Sequence, residues 1–256
     1  MRELTIQNTN VGTSAVVIAV QSGAAGAQNN TIRNVNVLGQ DPTTTLAGIA
    51  LGGATPGTAG TDNDGNRIEN CTVKRSIYGI YSAGQNATNP NTGSVFTMND
   101  LSATATDRLR RIGIVVFNDS GVQITLNSIG GLDTNESADG VAIGVGTQGI
   151  DNALTTAGGV TGALVSRNRI NGVNSQSATG FSAAGIAVAG SPGAANVIVN
   201  NMISGVISPA TSPDLVAGVF VAGVPGASTR VLYNSVSMSG DRGAVGRCTA
   251  ALNARQ

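Results

Sequence analysis

Apolar residues return along this chain in two short patterns. The first is a six-residue unit: an apolar residue, a stretch containing Asn, and a second apolar residue five places after the first. It reads IQNTNV from Ile6 to Val11, IRNVNV from Ile32 to Val37, IENCTV from Ile68 to Val73 and FTMNDL from Phe96 to Leu101. It continues as ITLNSI from Ile124 to Ile129, VSRNRI from Val165 to Ile170, IVNNMI from Ile198 to Ile203 and VLYNSV from Val231 to Val236. These roughly eight copies average about 32 residues apart, a spacing typical of stacked structural repeats. The two copies beginning at Val165 and Ile198 align without a gap over about 33 residues, with about 13 identities.

The second pattern follows most copies: a small residue or Gly, alternating apolar positions, then Gly or Ala. Examples are AGIALGG at 47–53, YGIYSAG at 78–84, IGIVVFN at 112–118, DGVAIGV at 139–145, AGIAVAG at 184–190 and AGVFVAG at 217–223. Strand alternation puts Ile49 with Leu51, Ile114 with Val116, Ile186 with Val188 and Val219 with Val221 on one face, whereas a period of 3.6 scatters them. No single repeat can bury such a face, so the repeats must stack in parallel about 4.8 Å apart, for a length on the order of 38 Å. Asn in each unit suits a tight bend between two strands, because it tolerates left-handed backbone angles and can ladder from repeat to repeat.

These units resemble the right-handed parallel β-helix repeats of the pectin-lyase-like superfamily, which also has Asn ladders at a tight bend. The resemblance runs through essentially all 256 residues. It implies an all-β fold, a right-handed parallel β-helix (solenoid) of about eight coils, in one domain spanning 1–256. It leaves function open, because this fold carries lyases, hydrolases, tailspikes and surface proteins.

Composition narrows the remaining choices. The chain has 36 Gly, 11% charged residues, 3% aromatics and no Trp or His. The glycines disfavour long helices, and low charge with 41% hydrophobic residues disfavours disorder. A net charge of zero leaves no footprint for nucleic acid. No apolar run reaches the roughly 20 residues of a membrane span. The start, MRELTIQNTNV, enters strand alternation without the apolar stretch of a signal peptide. With both ends reading as open coils, the chain is expected to be a fragment of a longer exported protein, extracellular or at the cell surface. The tail from Gly243 reads as a last strand or a short helical cap. Cys71 and Cys248 fall about five rungs apart, beyond disulfide reach.

Candidate chemistry is sparse. The outward positions of the second pattern are expected at Ala50, Tyr81, Val115, Ala142, Ala187 and Phe220, flanked by Gly48, Gly79, Gly113, Gly140, Gly185 and Gly218. None is ionisable, so this face offers neither acid–base groups nor calcium ligands. It suits packing against covering loops, a partner or a second copy of the chain. Two loops concentrate charge: Asp107, Arg108, Arg110 and Arg111 in one, and Asp133, Glu136 and Asp139 in the next. They read either as a salt-bridged pair or as a site for an acidic sugar. Asp62 and Asp64 are the candidates for calcium, the cofactor that the resemblance implies for a lyase. Without His, a Ser-His-Asp triad is excluded. Tyr81, Phe117 and Phe220, the aromatics that could be exposed, are expected to lie repeats apart.

Two functions from different classes follow. The first is a non-catalytic scaffold or adhesin-like segment of a secreted or surface bacterial protein, needing no cofactor and meeting a cell-surface glycan or protein. The second is a polysaccharide lyase or glycoside hydrolase using the two charged loops. They are distinguished by whether those loops converge into one groove with carboxylates spaced for catalysis, about 5–9.5 Å apart for a glycosidase.

Overall fold

The computed structural model describes residues 4–12, 15–23, 25–53, 58–134, 138–150, 158–176, 181–209, 215–238 and 249–255. The described residues are almost entirely strand and turn, with a single 3-10 turn at Ala105–Asp107. Three long parallel sheets run side by side, and each repeat visits them in the same order.

Sheet 1 has seven strands: Thr31–Arg33, Arg67–Glu69, Val95–Thr97, Gln123–Thr125, Leu164–Ser166, Ala195–Val199 and Ser228–Leu232. Sheet 2 has eight: Leu4–Gln7, Val35–Leu38, Thr72–Lys74, Asp100–Leu101, Ser128–Thr134, Arg169–Ser175, Met202–Ile207 and Ser235–Ser237. Sheet 3 has eight: Ala15–Gln21, Thr45–Gly52, Ser76–Ala83, Leu109–Phe117, Gly140–Val145, Ala183–Ala189, Val216–Ala222 and Thr249–Arg255. Of the two readings of the tail, the last strand is the one adopted: Thr249–Arg255 pairs with Val216–Ala222. Residues 243–248, Cys248 among them, lie outside the described residues.

Register follows the sequence repeat. In sheet 3, Ile49, Ile80, Ile114, Ile143, Ile186 and Val219 form one column. They pack with the Val37, Val73, Leu101, Ile129, Ile170 and Ile203 column of sheet 2 and with Ile68, Phe96, Ile124, Val165 and Ile198 of sheet 1. The inward side chains of all three sheets thus share one core, an arrangement that fits a β-solenoid. Burial of each such Ile contributes roughly 1.5–3 kcal/mol, so the column outweighs any single polar contact described below.

The bend from sheet 1 to sheet 2 uses two adjacent residues for two purposes. The first has a positive φ: Asn34 (57°), Asn70 (51°), Met98 (57°), Leu126 (60°), Arg167 (56°), Asn200 (58°) and Tyr233 (54°). The second carries the ladder. Asn99, Asn127, Asn168 and Asn201 each donate their side-chain amide to the Oδ1 of the next Asn, ending on Asn234, at 2.9–3.0 Å. The same Oδ1 atoms accept the preceding rung's backbone N–H, and the Nδ2 atoms also donate to carbonyls of sheet 1 such as Phe96 and Ile124. Asn therefore supplies the left-handed bend at Asn34, Asn70 and Asn200, while from Asn99 onward a second Asn supplies the ladder and Met98, Leu126, Arg167 and Tyr233 take the left-handed angle in the other repeats. Cys71 occupies the ladder position ahead of Asn99, its N–H donated to Asn99 Oδ1 at 3.0 Å and its thiol facing the Ile32 carbonyl. Successive rungs lie 28, 41, 33 and 33 residues apart in sequence.

Two sequence expectations are corrected here. Ile6 pairs with Val37, not Ile32, so IQNTNV belongs to sheet 2 and is not a copy of the bend unit. In sheet 3, Gly144 stands beside Val115, which moves Ala142 out of the outward column and into that of Gly113. That column needs small residues, because a Cβ at Gly48, Gly79, Gly113 or Gly185 would lie 2.2–2.5 Å from Val73, Leu101, Ile129 or Ile203 of sheet 2.

Asn168→Ala removes a rung whose partners above and below are buried, so it is expected to cost about 3 kcal/mol, read as a shift of the urea midpoint. Leu126→Asn replaces an exposed leucine held at φ 60°. It is expected to raise stability by about 1 kcal/mol in the same measurement.

Candidate functional site

The charged residues collect at the corner where the chain passes from sheet 2 to sheet 3. Their presentation depends on a β-bulge. Leu109 pairs with Ser76 and Ile112 with Tyr78, leaving one extra residue on the Leu109–Phe117 strand. Leu109 and Ile112 are buried, whereas the two residues between them, Arg110 and Arg111, are only half-buried. A bulge re-aims side chains in this way.

Asp107 is held by two cations from the preceding repeat. Arg75 Nε lies 2.7 Å from its Oδ1 and Lys74 Nζ 3.2 Å from its Oδ2. Arg75 first, and then Lys74, hold its carboxyl below the usual carboxylate range. With Thr5, Asn36, Leu38 and Thr72 these residues line a shallow groove of about 250 Å³ over sheet 2.

The acidic loop meets the Arg loop, but through contacts that occupy each group. Arg108 Nε lies 3.8 Å from Asp133 Oδ2, an ion pair without a hydrogen bond, and Arg108 Nη1 donates to the Ala105 carbonyl at 2.9 Å. Asp133 Oδ1 accepts from Asn174 Nδ2 at 3.0 Å and from Gln176 Nε2. Asp139 is only 6% exposed, and its two oxygens accept the backbone N–H groups of Ile150 and Ser182, each at 2.7 Å. It fastens two loop segments to the corner. Glu136 lies outside the described residues.

Arg111 Nη1 donates to the Tyr78 hydroxyl at 2.9 Å, which donates in turn to Gln148 Oε1 at 2.8 Å. The Arg111 guanidinium also sits 5.9 Å from the centre of the Tyr78 ring. Burial pulls the pKa of Arg110 down, and the charge of Arg111 adds to that. Tyr78 and Tyr81 make an edge-on contact at 5.7 Å, and Tyr81 reaches Phe117 at 5.9 Å. Tyr81 and Phe117 are thus neighbours despite their expected separation, while Phe220 is 0% exposed.

The outward face of sheet 3 is not bare. Ala50, Val115, Ala187 and Phe220 are buried in a second cluster that includes Ile150 and Leu215 from the corner loops.

The calcium candidates, Asp62 and Asp64, lie in the turn before Arg67. Asp64 Oδ1 already accepts the Thr92 N–H at 2.7 Å, and Asp62 is a turn residue with φ 52°. Among the described residues, no group of three or more His, Cys, Asp or Glu is placed to hold a metal ion. The described residues thus do not supply the carboxylate cluster that a calcium site of a lyase would use.

Sequence reasoning missed the partners that decide this corner: Lys74, Arg75, Tyr78 and Gln148. It also missed Asp119, a buried carboxyl in a different corner. The available signal was spacing, since Asn63, Asn91 and Asp119 stand 28 residues apart, as Cys71, Asn99 and Asn127 do. Compared with known proteins, the chain matches no family model, no curated protein and no solved structure.

Asp139→Ala leaves two buried backbone donors without their acceptor. It is expected to cost about 2–4 kcal/mol in urea unfolding. Asp107→Ala breaks a partly exposed pair and is expected to cost under about 1 kcal/mol, less in 1 M salt.

Proposed function

We propose that this chain is a right-handed parallel β-helix of about eight coils, similar in architecture to the pectin-lyase-like superfamily. It serves as a non-catalytic, adhesin-like scaffold of a secreted or surface bacterial protein. The parallel three-sheet repeat and the Asn ladder support the architecture. One observation carries the functional reading: each described carboxylate of the candidate cluster is already engaged by the chain itself. Asp107 is engaged by Arg75 and Lys74, Asp133 by Asn174 and Gln176, and Asp139 by two backbone N–H groups. General acid–base work needs a titratable group free to face substrate. A rigid stack with long corner loops instead suits display of those loops to a cell-surface glycan or protein.

A second reading, a polysaccharide lyase or glycosidase, is favoured by the half-buried Tyr81–Phe117 contact near Tyr78 and Arg111. Aromatic faces beside guanidinium groups suit an acidic sugar.

The two readings separate in one assay. Folded protein is incubated with acidic and neutral polysaccharides, with and without calcium, and new unsaturated or reducing chain ends are measured. The scaffold reading expects none. Cleavage that disappears in a folded Arg110→Ala variant would replace it with the enzyme reading.

A further inference from the structure

The corner that returns the chain from sheet 3 to sheet 1 contains a second column of polar residues: Asn63, Asn91 and Asp119, all 0% exposed. It begins like the Asn ladder. Asn63 Oδ1 accepts the Ala27 N–H at 3.1 Å, Asn91 Oδ1 accepts the Asn63 N–H at 3.2 Å, and Asn63 Nδ2 donates to the Gly52 carbonyl at 3.1 Å. The next rung is a carboxyl. Asp119 stands opposite Asn91 in the short parallel pair formed by Asn91–Thr92 and Asp119–Ser120.

The column breaks at this rung. Asp119 Oδ2 is hydrogen-bonded to Ser94 Oγ at 2.6 Å, but the buried Oδ1 has no hydrogen-bond partner, and neither does the buried Nδ2 of Asn91. A fully buried carboxylate with one hydrogen bond is far short of the several that stabilise an ionised group in the interior. Among the described residues, no counter-charge acts on Asp119. The pairing strand brings Asn91, the adjoining turn brings Ser94, and Thr161 bridges to Ser120. The charged group that Asp119 feels is Asp64, of like sign, whose Oδ1 is committed to the Thr92 N–H at 2.7 Å. Burial, opposed by the Ser94 bond and reinforced by Asp64, pushes the Asp119 carboxyl up to about 7.

We propose that Asp119 is a proton-operated latch on this corner, closed when the acid is neutral and loosened when it ionises. The neutral form removes the buried charge and lets Oδ2–H donate to Ser94 Oγ across the same 2.6 Å contact. The ionised form leaves a buried charge with a single hydrogen bond, from Ser94, and an Oδ1 without any. The segments held there are 84–94, 118–122 and 158–163. They are tied through the Asn91 N–H to the Asn118 carbonyl, the Gly93 N–H to Ser120, the Gly121 N–H to Thr161 and the Thr161 N–H to Asp119, at 2.8–3.0 Å. Because the folded-state pKa lies above that of the unfolded chain, about 3.9, stability from this group is complete below pH 4. It declines as pH rises towards 7 and is constant above that.

The test is a carboxyl ¹³C NMR titration of the intact chain, with amide exchange at pH 6 and pH 8 corrected for intrinsic rate. Asp119 is expected to titrate near pH 7. The amides of Asn91, Gly93, Gly121 and Thr161 are expected to exchange on the order of tenfold faster at pH 8, following the ionised fraction, while those of Asn127 and Asn168 do not. Asp119→Asn is expected to abolish the difference. An Asp119 titration near 4, or an equal pH-dependent gain in the folded Asp119→Asn protein, would overturn the proposal. If that variant does not fold, the titration of the native chain decides alone.

Discussion

Strands of three to five residues, as in sheet 1, have no stability of their own, and here each is held by the repeat before it and the repeat after it. The governing constraint is the fixed rise between parallel strands. Every column has to continue at that spacing, and any group that enters a column has to satisfy the groups above and below. Apolar columns do this by volume, as Ile49 through Val219 do in sheet 3. Polar columns do it only with a side chain that both donates and accepts. Asn is such a side chain, which is why it fills the bend from Asn99 to Asn234 without leaving an orphaned atom. Asp119 brings acceptors alone to its column, and both its Oδ1 and the Nδ2 of Asn91 are left without a hydrogen-bond partner.

The same constraint sorts the charged residues. The shared apolar core holds no charge, so ionisable groups either flank the inward residues of a strand, as Arg67 and Glu69 flank Ile68, or sit at the corners. The bulge before Ile112 turns Arg110 and Arg111 outward. Asp107 is paired with Arg75 and Lys74 of the preceding repeat, and Asp139 accepts two backbone N–H groups. The corner is stabilised by these contacts, and its carboxylates are held in place by them.

The regular part of this structure was legible in the sequence because it has a period. The inward faces of sheet 3, the parallel stacking and the ladder asparagines all follow from two recurring patterns. The division of labour within the bend was not, because strand pattern cannot show whether Asn or the residue before it takes the left-handed angle. The misplacement of IQNTNV has a related cause: an apolar–Asn–apolar stretch fits the end of a sheet 2 strand as well as it fits the bend. The corner was the least legible part. The presentation of Arg110 and Arg111 depends on a one-residue bulge, and the pairing of Asp107 with Lys74 and Arg75 depends on which repeat lies underneath. Neither leaves a local mark. Asp119 did leave one, a 28-residue spacing shared with the ladder, but its column has only three members.

The unequal spacing of the ladder rungs has a consequence for how such a chain can change. Asn127 and Asn168 are 41 residues apart, Asn99 and Asn127 only 28, yet both pairs bond at 3.0 Å. The additional residues are accommodated at the corners and leave no trace in the register. Contour length and axial position are thus independent variables in this molecule. Lengthening a flexible loop costs only about 0.6 kcal/mol per doubling, so a corner can accept new peptide while the rungs on either side keep their partners. The stack behaves as a rail with fixed stations, and what is mounted at one station can be exchanged without moving the next.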